Sequence, residues 1–248
     1  MSLIQVLNYS QKKEFESPPL LSDEARSEFF TLPRSMELQL ASIDKDMNKL
    51  YFIVIYGYFK LTRIFYTSST FYINDIDYIS RLYGLQTDII EVAVHTQTRY
   101  KRIIRDHFGF IAPDENLRGI LKSEASHLIS KLSNPKALFY ALVEISVSNR
   151  YEVPSYTFLV RIITEAMNTQ KLYIFDQLKS LSDNKALKSL DLFLEDDEVH
   201  TGHYSLSRFK KLSHSLKPTK IKDTVNTFTT VRNIHTGLLE IIEKIGLE

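Results

Sequence analysis

The sequence predicts an all-α fold made of two helical subdomains with helix-turn-helix-like elements. Three observations predict it. Apolar residues recur at helical spacing through most of the chain. Seven glycines and seven prolines in 248 residues are too few for turn-rich sandwiches and barrels. The helical stretches are also bracketed by residues that start and stop helices.

Along the chain, residues 1–30, with Ser17, Pro18 and Pro19, read as an arm or loop leading to a short helix. That helix starts near Ser22, has an acidic first turn in Asp23 and Glu24, and stops at Pro33. A longer helix is expected over residues 44–61, where Met47, Leu50, Val54, Tyr58 and Leu61 keep helical spacing. Tyr51, Ile53 and Ile55 widen its stripe until it is apolar nearly all round, which makes it the centre of the first core.

Residues 64–73 are aromatic and β-branched, the one place where a short hairpin would fit. Asn74 can cap a helix over residues 75–83, in whose first turn Asp75 and Asp77 complement the dipole, and Gly84 ends it in the left-handed conformation. Another helix is expected near Thr87, and a further one from near Thr98 to Gly109. Residues 113–132, 134–149 and 154–181 read as three more, with Pro135 and Pro154 in or near first-turn positions. A short helix capped by Asp183 or Asn184 precedes the acidic run 191–198, and a final helix covers 218–245. The expected subdomains are residues 1–112 and 113–248, with the second carrying a basic C-terminal segment.

Composition narrows the function classes. With 44% hydrophobic and 25% charged residues the chain is globular and can bury a sizeable core. It has no cysteine, which removes disulfides, thiol catalysis and thiolate zinc sites. The longest apolar stretch, residues 50–59, is too short to span a bilayer, and the N-terminus lacks a signal segment, so a cytoplasmic, membrane-free protein is expected. The net charge of +1 hides an uneven distribution: residues 199–248 carry 8 Lys and Arg against 4 acids.

No nucleophile elbow, phosphate-binding loop, metalloprotease helix or dinucleotide fingerprint occurs, and the glycines at 57, 84, 109, 119, 202, 237 and 246 stand apart. No carboxylate set suits a two-metal site, so a non-enzyme without cofactor is expected. His200 and His203, with Asp196, Asp197 or His214, offer metal-ligand types, but Gly202 between the two histidines disfavours a rigid site. Histidines adjusting the charge of a basic loop account for them better, and no metal site is assigned.

Three basic features suit nucleic acid. At 100° per residue, Arg99, Arg102 and Arg105 fall within roughly 120° of one another, opposite Tyr100, Ile103, Ile104, His107 and Phe108. A guanidinium fork grips a phosphate or the O6/N7 edge of guanine, although a solvated helix face has the same pattern. Lys101 belongs to the same helix. In the second feature, Arg208, Lys210 and Lys211 project from a short helix anchored by Leu206, Phe209 and Leu212, followed by Lys217, Lys220 and Lys222. This stretch is equally consistent with pairing against the acidic run at 191–198. The third is Lys60 and Arg63 beside the hydroxyls of residues 66–70, which match either a sugar-phosphate contact or a polar turn.

Several phrases, in this order and spacing, resemble the N-terminal DNA-recognition region of replicative transposases of the Tn-three family. They are residues 29–33 (FFTLP), 48–65, 77–82 and 98–110, with weaker matches at 153–156, Leu159, Ala166 and 205–218. Lys49 and Tyr51 stand where Arg and Gly are usual. The resemblance spans most of the chain, from about residue 21 to beyond 222. It implies sequence-specific binding of the terminal inverted repeats of a transposon, with a homodimer in the full-length assembly. It places cutting and joining in an Asp-Asp-Glu, Mg²⁺-binding ribonuclease-H-like domain further along a much longer chain, so this chain is expected to be a truncated product or an expressed fragment. The expected partner is double-stranded DNA, with no small-molecule substrate. The expected DNA-binding residues are Lys60, Arg63, Arg99, Lys101, Arg102, Arg105, Arg208, Lys210, Lys211, Lys217, Lys220 and Lys222. The competing expectation is a helical protein-interaction or regulatory module derived from a truncated transposase.

Overall fold

The computed structural model describes residues 3–86, 92–132, 134–180 and 217–245, and among these it holds ten α-helices, one short 3-10 turn and no strand. The all-α expectation holds. The chain divides into two compact units, Met1–Met167 and Asn168–Glu248.

The first unit contains two apolar clusters. One is centred on α4 (Asp46–Thr62), in which every residue from Leu50 to Phe59 is buried. The helix is therefore covered on all sides, as its unbroken apolar sequence requires. Its neighbours are α2 (Asp23–Phe30), α5 (Ile73–Tyr83) and α6 (Val94–Phe108). Gly57 faces α2: a side-chain carbon there would fall on the Phe30 ring and 3.1 Å from the Phe29 carbonyl oxygen. The missing Cβ lets the two helices approach closely.

Helix ends follow the chemistry of their sequences. Ser22 and Asp114 accept hydrogen bonds from the amides three residues on, starting α2 and α7 (Glu115–Leu128). Asn134 caps α8 (Pro135–Ser148), with proline in the first turn. Gly84 and Gly109 end α5 and α6 at φ 64° and 69°.

Five local expectations are corrected. The N-terminal thirty residues are not a free arm: Asn8 and Gln11 form a capping box that starts α1 (Tyr9–Glu16), and Val6 and Leu7 are buried in the second cluster. Pro33 does more than stop α2, since it also starts α3 (Arg34–Ala41), where its missing N–H costs nothing. Helix α5 begins at Ile73 with Tyr72 as its cap, so Asn74 lies inside the first turn. Helix α6 starts at Val94 rather than near Thr98, its first turn held by Gln97, which donates to the Val92 carbonyl and accepts from the Tyr51 hydroxyl. Residues 64–73 form no hairpin, only the 3-10 turn Ser68–Thr70. The helices expected near Thr87 and at 183–184 lie outside the described residues.

The second cluster joins Val6 and Leu7 to Leu117, Leu121, Phe139, Leu142, Leu159 and Ile163 from α7, α8 and α9 (Tyr156–Ser180). Residues 150–153 connect the clusters. Ile111 and Tyr151 form a parallel backbone bridge, and the Val153 amide donates to the Arg63 carbonyl at 3.0 Å. In the second unit, α10 (Pro218–Ile245) covers the span expected from the sequence, and it starts on a first-turn proline.

Below α2, Asp75 is fully buried: Arg26 Nε donates to one carboxylate oxygen at 2.6 Å and the Tyr58 hydroxyl to the other at 2.5 Å. The same core pushes phenol pKa values upward by burial at Tyr51, Tyr56, Tyr58, Tyr66, Tyr83 and Tyr100, with Tyr51 reaching about 12. A raised native pKa favours the protonated phenol, so this contribution is complete below pH ~10 and is lost as pH rises, because the unfolded chain ionises first. Tyr51 alone accounts for on the order of 3 kcal/mol by pH 12. Spectrophotometric titration at alkaline pH should show these six ionising above the ordinary tyrosine range, together with loss of helical circular dichroism. Fourteen independent, normal ionisations in the folded protein would contradict the packing.

Candidate functional site

The site is built on α6. Tyr100 packs edge-on against Phe52 at 5.4 Å between ring centroids, Ile104 is fully buried, and Phe110 N–H closes the helix end on the Arg105 carbonyl at 2.9 Å. These contacts fix the back of the helix and therefore what it turns to solvent.

Arg99 and Arg102 are exposed, and neither makes an ion pair or side-chain hydrogen bond among the described residues. His95 and Thr98, four residues before each, share the exposed face. Sequence reasoning missed both, although the i, i+4 spacing carries the signal. Exposed Asp106 lies one turn beyond Arg102 and lowers the positive potential at that end.

Arg105 is placed differently. Its guanidinium pairs with Glu152 at 2.7 Å, with the two side chains 14% and 20% exposed, and stands 5.8 Å over the Phe65 ring. The helix wheel groups it with Arg99 and Arg102, but the tertiary structure ties it to residues 150–153. Lys101 is also drawn inward, with its ammonium 5.6 Å over the same ring. Burial pushes its pKa below the usual lysine value, Glu152 opposes that shift, and Arg105 adds to it.

Arg63 caps α4 in the left-handed conformation at φ 62° and donates back to the Phe59 and Lys60 carbonyls. It lies 5.2 Å over both Phe108 and Phe110, and burial together with the Arg150 charge lowers its pKa. Lys60 donates to the Glu28 carbonyl at 2.7 Å and covers the Phe29 ring at 5.5 Å. Arg63, Lys60, Lys101 and Arg105 thus have partners inside the first unit, whereas Arg99 and Arg102 have none among the described residues.

In the second unit, Lys217 and Lys222 are exposed at the start of α10, and Lys220 belongs to its first turn. The amino end of a helix favours anions and already bears this lysine cluster. Arg208, Lys210 and Lys211 lie outside the described residues, as do His200, His203 and His214. Among the described residues no group of three metal-ligating side chains occurs and no helix is long and apolar enough to cross a membrane.

A family model described as "Domain of unknown function (DUF4158)" matches residues 6–166, a span that holds both apolar clusters and α6. No curated protein matches the chain.

Proposed function

The chain belongs to the DUF4158 family, and from that premise we propose that it is a non-catalytic module that binds the terminal inverted-repeat DNA of a transposon. The observation that carries the reading is the pair Arg99 and Arg102, exposed and unpaired among the described residues on a helix whose back is locked into the core. Placing two guanidinium groups in water without a carboxylate partner leaves their hydrogen-bonding forks for an external anion or base edge. The occurrence of the family in transposase-associated contexts supports the choice of DNA, and so does the resemblance to Tn-three transposases. The exposed lysines at the start of α10 supply further sequence-independent phosphate contacts.

The test is an anisotropy titration of the full chain against the inverted repeat of its parent element and a scrambled duplex of the same length and salt. The repeat should bind tighter, and both affinities should fall as salt rises. Equal affinity for the two duplexes removes sequence recognition, and no binding to either removes the reading.

A second reading, a protein-interaction or regulatory module, is favoured by α10 itself. Ile221, Val225, Phe228, Leu239 and Ile242 are exposed at alternating spacings of the 4-3 kind, interrupted by Arg232 and His235. That is the spacing of a helix seam. Failure of DNA binding together with concentration-dependent self-association would favour this alternative.

A further inference from the structure

The two clusters of the first unit leave a cavity of about 430 Å³ between them, within the roughly 300–1,000 Å³ range of ligand sites. One wall comes from the second cluster, with Phe15 and Tyr156, and the other from the first, with Phe65 and Tyr66. Hydroxyls of Thr67, Thr70 and Ser155 line it between these walls. Lys101 and Glu152 supply a donor and an acceptor.

Charge selects among ligands. Glu152 is neutralised by Arg105 through Oε2, and Glu16 at the rim stands 3.9 Å from Lys12. Lys101 has no carboxylate of its own within ion-pair distance among the described residues and is held over an aromatic ring instead. Lys101 is therefore the uncompensated charge among the described lining residues, which argues against a free cation as the occupant and calls for an acceptor atom against its ammonium. Aromatic walls with a few directed polar groups suit a planar, heteroatom-bearing ring. A nucleobase fits that description, because every base has apolar faces and an edge that both donates and accepts.

Lys101 precedes Arg102 on α6, about 100° around the helix, so one helix carries both the donor of the cavity and the exposed face assigned above to DNA. We propose that the cavity receives one unpaired base of the bound DNA. This inference rests on the DNA-binding reading and adds a second kind of contact to it. Phosphates and base edges would be met by Arg99 and Arg102, and one base taken out of the stack would be held between Phe15 and Tyr156 on one side and Phe65 on the other. Lys101 would donate to a base acceptor, and the free oxygen of Glu152 would accept from a base donor. Extruding a paired base costs unstacking energy, so an already unpaired base is preferred.

The experiment compares the full chain on a blunt duplex and on the same duplex carrying a single unpaired 2-aminopurine. The bulged duplex should bind about tenfold tighter, in line with the stacking of one base on aromatic groups, and its fluorescence should change on binding. Ser155→Trp narrows the cavity and removes one helix cap, so circular dichroism verifies folding. It should abolish the preference while blunt-duplex binding persists. Lys101→Met should reduce the preference by removing the donor. Equal affinity for bulged and blunt duplexes, or an unchanged preference in folded Ser155→Trp, overturns the cavity assignment and leaves DNA binding intact. No binding to either duplex overturns both.

Discussion

Asp75→Ala should lower the free energy of unfolding by about 3–5 kcal/mol, the range for removing one partner of a buried ion pair. The side chain is 1% exposed and its two oxygens are held by different elements, Arg26 of α2 and Tyr58 of α4. Its removal leaves a guanidinium that is only 13% exposed with Asp23 as its remaining carboxylate, itself 85% exposed and therefore well screened. It also leaves the buried Tyr58 hydroxyl without its acceptor. Against a total stability of roughly 5–15 kcal/mol for a typical domain, that loss is large. Thermal or urea unfolding of the variant, followed by helical circular dichroism, measures it. Asp75→Asn retains an acceptor for Tyr58 but not the charge and should lose less. Replacing both partners, with Arg26→Met and Asp75→Leu, should recover part of the loss because no unpaired charge remains. If Asp75→Ala costs under about 1 kcal/mol, the cluster behaves as a solvent-screened surface pair and its role in joining α2, α4 and α5 is lost.

This ion pair also marks where sequence reading stops. Asp75 reads as a dipole-complementing residue at a helix start, and it does lie in the first turn of α5. Nothing local distinguishes it from Asp77, which is exposed; the difference is that position 75 points at Arg26, 49 residues away. The same limit divides the arginines of α6. Helical periodicity correctly placed Tyr100 and Ile104 in the core, but it could not anticipate that Glu152, 47 residues on, would take Arg105. Short-range chemistry was more legible. Ser22, Asp114, Asn134, Gly84 and Gly109 act at helix ends as their side chains, or lack of one, dictate. The capping box at Asn8 and Gln11 was equally local and was missed because Pro18 and Pro19 made the whole N-terminus read as a loop. The burial of Val6 and Leu7 depends on contacts with residues far along the chain and was not readable.

Replacing Arg99 and Arg102 together by Ala should weaken binding to inverted-repeat DNA about 10- to 100-fold while leaving the fold intact. Both side chains are exposed, and the contacts of Tyr100 and Ile104 that hold α6 do not involve them. The mode of each contact separates in the data. A guanidinium that grips a phosphate should, when removed, weaken every sequence alike and make the slope of log affinity against log salt shallower by about one unit. One that reads a guanine edge should cost roughly 1–3 kcal/mol and relax preference at a single base pair. Arg105→Ala is the contrasting variant. Its partner Glu152 lies in the segment that links the two clusters, so the change should appear as lost thermal stability, with the salt slope little altered. Lysines at the start of α10 should act through salt dependence alone, because an ammonium is a point charge with little capacity to discriminate bases. An Arg99→Ala, Arg102→Ala protein that binds repeat and scrambled duplex with unchanged affinity and unchanged slope would make the exposed face of α6 a solvated surface, and DNA recognition would then have to reside elsewhere.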